Sequence, residues 1–335
     1  MPCRRQDAAR QQVRDVIDSW LLERLACPRC HGALIAQSIE LICAQGHRYP
    51  VTDGIPVMLL DDVPQTHWVA AHALEHYREP AADSAHSETE IDPVVQEAVG
   101  ATGGNLYRHL LGRLPRYPTP DLPFDAPAGT TFLDVGCHWG RWCVSAARKG
   151  WRVVGIDPSL NGIRAARRVA RATGVQILLV LGDGRYLPFA PSTFQMVHSY
   201  SVLRHFSEGD VLRCAREIGR VLDAGGESHI QMAQRFGALN VLQQLRRGFR
   251  RPQLFDVRYW PLDALRQAFS EAIGPTTLSV DGFFSLNAQL ADLDLLRPGH
   301  RRLVTFSHAL RRLSQRHPSL VRAADSVYVN SRKAA

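Results

Sequence analysis

The most informative stretch of this chain is Phe132-Leu-Asp134-Val-Gly136-Cys-His138-Trp-Gly140-Arg-Trp142. It reads as a short apolar strand that ends in an acid and runs into a turn with two glycines. A strand that stops at a turn of small residues leaves its backbone bare at the carboxyl edge of a sheet. Open α/β sheets bind their ligands at that edge. We therefore expect a ligand site where this strand ends.

The residues around this stretch alternate between strand and helix patterns. Strands are predicted over 131–135, 151–156, 175–181, 193–199 and 228–233. Helices are predicted over 11–25, 139–149, 159–172 and 207–222, the last closed by Gly225-Gly226. A further helix near 261–273 precedes strands at 276–284 and 326–331. Such alternation predicts a parallel sheet with right-handed crossovers, which places the fold in the α/β class.

Two more acids, Asp157 and Asp183, end the second and third predicted strands. Asp157 can accept both hydroxyls of a ribose, and Asp183 can accept from an exocyclic amine beside a ring walled by residues 186–189. A dinucleotide site would require Gly-x-Gly-x-x-Gly, which the spacing of Gly136, His138 and Gly140 does not match. The three acids therefore predict a single adenosine without phosphates.

These residues together resemble the class I S-adenosylmethionine-dependent methyltransferases, of the type 11-like kind, over roughly residues 101–235. The matching motifs are Asp134–Gly140, Gly155-Ile-Asp157, Gly182–Phe189 and Phe194–Phe206. The resemblance implies a Rossmann-like, doubly wound, seven-stranded sheet whose last strand, at 326–331, is antiparallel. It implies S-adenosylmethionine as cofactor, bound by Asp134, Gly136, Cys137, His138, Gly140, Asp157, Pro158, Asp183, Gly184 and Ser199.

His138 stands where the family usually has its middle glycine. Histidine tolerates a positive φ better than most other residues with a side chain, so we expect that backbone conformation here. Its ring is then expected either to contact the cofactor or to be merely tolerated in the turn.

Methyl transfer from a sulfonium mainly requires orientation and exclusion of water, and a base is needed only if the acceptor must lose a proton early. The predicted catalytic residues are His205, Tyr107 and His109, with His198 and Tyr200 as further candidates. His205 follows the fourth strand. Tyr107 and His109 precede the first strand, where the family commonly folds a lid over the cofactor. The alternatives are that His205 caps a helix or packs in the core, and that Tyr107 and His109 lie on an ordinary surface helix.

A separate motif lies near the N-terminus: Cys27, Cys30, Cys43 and His47 have the spacing C-x2-C-x12-C-x3-H. Three thiolates and an imidazole form a closed tetrahedral set, which predicts a structural zinc ion. His31 is the alternative fourth ligand, and a ribbon without metal is the alternative state. The segment 49–59 resembles the small zinc-ribbon proteins that activate methyltransferases. The ligand spacing is similar to the zinc module of bacterial rRNA guanine-N1 methyltransferases.

The composition limits what the chain can be. The chain has seven cysteines, three of them in residues 27–43, and this pattern favours a metal site over disulfides. We therefore expect a cytoplasmic location. The net charge of +8 is carried by arginine, with only two lysines. Arginine excess is typical of phosphate binding but also of GC-rich genomes. The basic segment 300–322 is expected to be a solvated helix, a peripheral contact with an anionic membrane or a phosphate-binding surface.

Three regions follow from these patterns: an N-terminal helix and zinc ribbon over 1–60, a linker with lid helices over 61–125, and a methyltransferase domain over 126–335. Within the last, residues 235–325 are predicted to form a substrate cap. We expect in-line methyl transfer to an oxygen or nitrogen of a small-molecule, glycan or lipid-linked acceptor. The alternatives are an RNA base methyltransferase and a non-catalytic cofactor-binding scaffold. The sequence leaves the oligomeric state open.

Overall fold

The computed structural model describes residues 17–37, 39–64, 91–101, 106–253, 255–284, 286 and 289–335. Its N-terminal part contains helix α1 (Ser19–Arg24) and strands β1 (Leu34–Gln37), β2 (Glu40–Cys43), β3 (Arg48–Thr52) and β4 (Ile55–Pro56). The Asp18 carboxylate caps α1 by accepting from the Leu21 N–H at 3.1 Å. The four strands form an antiparallel sheet in the order β1-β2-β3-β4. Of the helix predicted over 11–25, residues 11–16 lie outside the described residues.

The larger part of the chain contains helix α2 (Pro93–Ala101) followed by alternating strands and helices. The elements are β5 (Thr131–Val135), α3 (Arg141–Arg148), β6 (Arg152–Asp157), α4 (Leu160–Ala172), β7 (Leu178–Leu181), β8 (Phe194–Ser199), α5 (Glu208–Val221) and β9 (Leu222–Ala233). They are followed by α6 (Ala238–Arg246), α7 (Leu262–Ala272), β10 (Thr276–Gly282), α8 (Pro298–Arg316) and β11 (Ser326–Arg332).

Seven of these strands form one sheet in the order β10-β11-β9-β8-β5-β6-β7. Strands β5 to β9 pair in parallel, and β11 pairs antiparallel with both β9 and β10. The predicted seven-stranded sheet with an antiparallel last strand is therefore confirmed. Because the order reverses between β5 and β8, the carboxyl ends of these two strands flank the crevice in which such sheets bind ligands.

Serine side chains cap two of the helices that follow the sheet strands. The Ser159 hydroxyl accepts from the Gly162 N–H at 3.1 Å at the start of α4, and Ser207 caps α5 in the same way through Asp210. Serine is a preferred residue at this position because its oxygen satisfies an otherwise unpaired N–H. The sequence therefore located both helix starts within one residue.

Two strand predictions were inaccurate at their starts. Strand β7 begins at Leu178 instead of residue 175, and β9 begins at Leu222 instead of residue 228. The Gly225-Gly226 pair does not close α5, because it lies inside β9, where Gly225 has a φ of +73°. The pairing of β9 with β8 is irregular there, since Phe194 faces Leu222 but Met196 faces Glu227. The glycine pair accommodates this irregularity.

The N-terminal ribbon packs directly on the edge of the large sheet. Val57, just after β4, pairs in parallel with Leu181 of β7, and the Met58 N–H donates to the Leu181 carbonyl at 2.7 Å. The Ala26 N–H donates to the Pro188 carbonyl at 2.9 Å, and the Ala190 N–H donates to the Arg24 carbonyl at 2.8 Å. The ribbon thus covers an edge strand that would otherwise be open to pairing. It also braces the loop after β7, which carries Asp183.

The region predicted as a substrate cap contributes to the main sheet. Strand β10 and helix α7 lie within 235–325, and they belong to the sheet and to the helix layer beside α5. Helices α6 and α8 and a short 3₁₀ helix, Leu290–Leu295, form the remainder. Within the parts of the chain that the structure describes, no helix combines the length and hydrophobicity that crossing a bilayer requires.

Candidate cofactor site and metal centre

The turn after β5 has the backbone conformation that its glycines allow. Gly136 and Gly140 have φ values of +78° and +80°, and His138 between them has +46°. A Cβ atom at Gly136 would lie 2.9 Å from Val202 Cγ1 and closer still to Cγ2, so only glycine fits. The positive φ expected of His138 is present. The turn presents bare backbone at the carboxyl edge of the sheet.

Asp157, at the end of β6, holds this turn in place. One carboxylate oxygen accepts from the His138 N–H at 2.9 Å, and the other accepts from the Ser159 N–H at 2.8 Å. The carboxylate is 7% exposed. Burial raises the pKa of Asp157, whereas its proximity to the His138 ring lowers it. Each oxygen retains a lone pair, which suits the two hydroxyls of a ribose.

The His138 ring contacts the first turn of α4. A Cβ atom at Gly162 would lie 3.0 Å from His138 Cδ2, so the ring and the helix are in close contact. Burial lowers the pKa of His138, and its Nδ1 atom has no hydrogen-bond partner. The ring therefore packs against protein on one side, and contact with a cofactor stays a prediction.

Asp183 is engaged in an ion pair that the sequence analysis missed. The Arg185 guanidinium donates to both of its carboxylate oxygens, with Nη2 at 2.6 Å from Oδ2 and Nε at 3.1 Å from Oδ1. Leu187 and Phe189, expected to wall an adenine, are fully buried in the core. An adenine amine would therefore meet a carboxylate already paired with arginine. Arg185 stands two residues after Asp183 in the motif, which was the available signal.

Other residues predicted to bind the cofactor surround the same strand ends. Gly184 packs against β5, because a Cβ atom there would lie 2.7 Å from Val135 Cγ1. The Ser199 hydroxyl donates to the Val135 carbonyl at 2.8 Å and joins β8 to β5. Burial raises the pKa of the Cys137 thiol to about 11, so the thiol is neutral. Pro158 is half-buried directly after Asp157.

Asp134 pairs with a histidine from the neighbouring strand. His198 lies opposite Asp134 in the register of β5 and β8, and its Nδ1 atom is 2.9 Å from Asp134 Oδ1. Both side chains are almost completely buried, and His198 Nε2 has no hydrogen-bond partner. With the proton on Nδ1 facing the carboxylate, Nε2 is left as an acceptor. This is the geometry of a histidine oriented by a carboxylate.

The three predicted catalytic residues have different surroundings. Tyr107 is buried, its hydroxyl donates to Asp292 Oδ2 at 2.6 Å, and burial raises its pKa, so the phenol stays protonated. His205 lies in a 3₁₀ helix after β8, where its Nδ1 is 2.7 Å from the Phe255 carbonyl and its ring stacks on Phe255. His109 is half-buried in a short 3₁₀ helix. None of these contacts involves the Asp134–His198 pair.

A cluster of buried side chains with unpartnered polar atoms lies next to the glycine turn. It consists of Arg141, Trp142, His198 and Tyr328, together with the half-buried Tyr200, whose ring packs among them, and is called the Arg141 cluster here. The Trp142 ring lies 4.8 Å from that of Tyr200 and 4.9 Å from that of His198, between centroids. Arg141 Nη2 lies 3.5 Å from Asp292 Oδ2, and the Tyr200 hydroxyl donates to Asp281 at 3.1 Å.

Several donors in this cluster have no acceptor. Arg141 Nε, Trp142 Nε1 and the Tyr328 hydroxyl are buried without hydrogen-bond partners, and Arg141 Nη2 has only the 3.5 Å ion pair with Asp292. An unsatisfied buried polar group costs about 1–3 kcal/mol, so several of them together indicate a surface made for a ligand or for water. Tyr200 was considered as a base, but burial raises its pKa well above the usual value. Sequence reasoning missed Arg141 although it follows Gly140 directly.

The four predicted metal ligands come together in the ribbon. The ligand atoms of Cys27, Cys30, Cys43 and His47 all lie within 4.8 Å of one another. His31 is elsewhere, with Nε2 3.5 Å from Glu217 Oε1 in α5, so His47 completes the set.

The spacing of these atoms fits zinc. Metal–sulfur bonds of about 2.3 Å in a tetrahedron require sulfur–sulfur distances of about 3.8 Å, and Cys30 Sγ lies 3.8 Å from Cys43 Sγ. His47 Nδ1 lies 3.4 Å from Cys27 Sγ and 3.3 Å from Cys43 Sγ. Burial alone would raise the pKa of Cys27, but hydrogen bonds, chiefly from Tyr49, lower it to about 6. The thiolate that a metal requires is therefore favoured.

Comparison with known families and proteins agrees with both parts of the chain. A family model described as a methyltransferase domain matches residues 132–226, and one described as Trm112p-like protein matches residues 18–54. A solved complex that contains the Haloferax volcanii Trm112 methyltransferase activator is 17% identical and covers 72% of this chain and 94% of that chain. Its TM-score is 0.44.

The curated relatives are methyltransferases. The ubiquinone biosynthesis O-methyltransferase of Brucella anthropi is 26% identical over 147 residues, which cover 44% of this chain and 58% of the relative. The demethylmenaquinone methyltransferase of Corynebacterium kroppenstedtii is 35% identical over 102 residues, 30% of this chain and 41% of the relative. The chain thus spans about half the length of the curated relatives it matches. The chain therefore contains a class I methyltransferase domain, matched over residues 132–226, and an N-terminal Trm112-like module, matched over residues 18–54, which carries the Cys/His cluster.

Proposed function

We propose that this protein transfers a methyl group from S-adenosylmethionine to an oxygen or nitrogen of a small-molecule acceptor. The observation that carries the proposal is the glycine turn at residues 136–140, fixed by the Asp157 carboxylate at the carboxyl edge of the sheet. S-adenosylmethionine supplies an electrophilic methyl group when bound. The protein then has to bind it, orient the acceptor and exclude water.

The residues at the strand ends divide the binding task. Gly136 and Gly140 allow close approach of the backbone to the methionine part of the cofactor, and Asp157 accepts from the ribose hydroxyls. Asp183 with Gly184 borders the adenine, with the charge of Asp183 balanced by Arg185. The ribbon supports this arrangement, because it is hydrogen-bonded to the loop that carries Asp183.

The Arg141 cluster is the proposed acceptor site. Its N–H and O–H groups without hydrogen-bond partners suit a substrate that carries oxygen atoms. The rings of Trp142 and Tyr200 suit a flat, conjugated molecule. His198 Nε2 is positioned to take the proton of an acceptor hydroxyl, with Asp134 holding the ring. The curated relatives, named for ubiquinone and demethylmenaquinone methylation, support an acceptor of this kind.

Methyl transfer from isotopically labelled S-adenosylmethionine into fractionated cell extract tests the function. We expect label in a small-molecule fraction, and label in no fraction would contradict the proposal. His198→Asn tests the base, because an asparagine amide can still donate to Asp134 but offers no acceptor where Nε2 was. It should lower kcat without altering cofactor affinity. An unchanged kcat would exclude His198 from proton transfer.

A basic cleft favours methylation of RNA as a second candidate function. A cavity of about 400 Å³ between the ribbon and α5 is lined by four arginines, Arg29, Arg185, Arg213 and Arg216, and by Tyr186, His31, Pro28 and Glu217. Arg29 and Arg185 are already ion-paired with Asp62 and Asp183. The Arg213 guanidinium lies 5.2 Å from the centre of the Tyr186 ring. Arginines beside an aromatic ring suit phosphates and bases. RNA binding that weakens steeply with salt would support this candidate, and no RNA binding at low salt would exclude it.

A further inference from the structure

Helix α6 packs against the protein through its polar face. The side chain of Asn240 is 2% exposed, and its Nδ2 donates to the Gln234 carbonyl at 2.8 Å and to the Asp325 carbonyl at 2.6 Å. Gln243 accepts from the Tyr259 hydroxyl at 2.5 Å. A surface helix normally buries its apolar side and exposes its polar side, so this orientation is reversed.

Two leucines of α6 face outward. Leu242 and Leu245 are spaced by three residues, which places them on one face of the helix, and they are 39% and 54% exposed. Phe249 follows the end of α6 in a turn, with a φ of +53°, and is 65% exposed. Phe236 and Phe255 on either side are 63% and 47% exposed. Five of the eleven large hydrophobic residues exposed in the described part of the chain therefore lie in residues 236–255. Such a concentration marks an interaction surface, whereas single exposed apolar residues are ordinary.

Positive charge borders this apolar face. Residues 235–255 contain Arg235, Arg246, Arg247, Arg250 and Arg251 and no Asp or Glu. Arg247 lies 3.8 Å from Asp256, while Arg246, Arg250 and Arg251 are exposed and have no carboxylate partner among the residues with described positions. Residues 235–253 and 255 are called the α6 surface below.

We propose that the α6 surface docks on an anionic phospholipid bilayer, with its leucines and phenylalanines in the interface and its arginines against the headgroup phosphates. Large apolar side chains suit the acyl-chain region at the membrane surface, and the neighbouring arginines, with no acid among them, suit the anionic headgroups. A protein partner would need a matching acidic rim around an apolar groove, and a second copy of this chain would bring like charges together. Charge complementarity therefore favours the bilayer.

Docking would bring the lipid close to the proposed active site. The Phe255 ring stacks on the His205 ring with 3.9 Å between centroids, and His205 lies in the short 3₁₀ helix, Leu203–His205, that follows β8. The α6 surface is thus continuous with the ligand edge of the sheet. If the proposed function holds, an acceptor dissolved in the membrane would reach that edge without crossing water. The docking itself does not depend on methyl transfer.

Flotation of the full-length protein with vesicles tests the proposal, using phosphatidylcholine alone and phosphatidylcholine mixed with phosphatidylglycerol. We expect binding to the mixed vesicles that weakens with salt and is roughly tenfold weaker on phosphatidylcholine alone. Two double variants, Leu245→Ser with Phe249→Ser and Arg250→Glu with Arg251→Glu, should each reduce binding roughly tenfold. Ile35→Ser with Ile39→Ser is the matched control, because these two residues are similarly exposed, at 56% and 60%, but lie in the ribbon and not in the α6 surface.

Three results would overturn the proposal: no binding to mixed vesicles, equal loss in the ribbon control, or undiminished binding by both α6 variants. Sedimentation that shows a dimer dissociated by Leu245→Ser with Phe249→Ser, without vesicle binding, would assign the surface to a second copy instead. Binding of S-adenosylmethionine is measured on the same variants. It should be unchanged, so that a failure of docking is distinguished from a failure of the proposed function.

Discussion

Replacing Gly136 by alanine tests how tightly the structure specifies the cofactor turn. Two costs add at this position. An alanine at a φ of +78° pays the left-handed penalty of about 1–2 kcal/mol, of which the reduced entropy of the unfolded chain returns about half. Its Cβ would also collide with both γ-methyl groups of Val202, and overpacking of this kind costs about 1–3 kcal/mol. We expect Gly136→Ala to lower the free energy of unfolding by about 2–4 kcal/mol in total.

Gly174→Ala is the matched control for the collision. Gly174 also has a positive φ, of +65°, but a Cβ there would meet no atom within 4 Å, so only the conformational cost of about 1 kcal/mol applies. Urea unfolding followed by circular dichroism measures both variants. With S-adenosylmethionine at about 100 times its Kd, the parent and Gly174→Ala should each gain about 2.7 kcal/mol, while Gly136→Ala should gain none. Equal destabilisation of the two variants would refute the reasoning.

Two further predictions concern the metal centre and the dependence of stability on pH. Cys43→Ser should reduce the bound zinc from one ion per chain to a minor fraction. It should also lower the melting temperature, because the ribbon and the large sheet share a core. Elemental analysis measures the zinc content, and full zinc retention would contradict the prediction. Burial lowers the pKa of His229, so the folded state disfavours the charged imidazole. The contribution of His229 to the free energy of unfolding is therefore fully present above the unfolded pKa of about 6.5, and it should fall as the pH drops below that value. His229→Gln should therefore make unfolding free energies measured between pH 7 and 5 less dependent on pH, and an unchanged slope would show that other groups cause it.

The features that depend on local sequence could be predicted. Alternating apolar strands, serine caps and the glycine turn predicted the element order, because each is set by a few neighbouring residues. The antiparallel last strand was implied by the family resemblance and not by the local sequence. The positive φ of His138 followed from its place in the turn. The four zinc ligands followed from their spacing, because two short knuckles bring such residues together without help from the rest of the fold.

The features that depend on strand register could not be predicted. The pairing of Asp134 with His198 requires β5 and β8 to be neighbours in one particular register, and 64 residues separate the two side chains. The Arg141 cluster joins residues from α3, β8 and β11 in the same way. The reversed orientation of α6 is also not visible in its sequence, because hydrophobic periodicity shows that a helix has an apolar face but not where that face points.

Binding of S-adenosylmethionine by this chain is the decisive measurement for the assignment of the cofactor site. Isothermal titration should show one site per chain, with the affinity reduced at least roughly tenfold in Asp157→Ala, because the ribose hydroxyls lose their acceptor. Asp263→Ala is the control, since that carboxylate is 98% exposed and distant in sequence from the strand ends. Unchanged binding by Asp157→Ala, or no binding by the parent protein, would contradict the account.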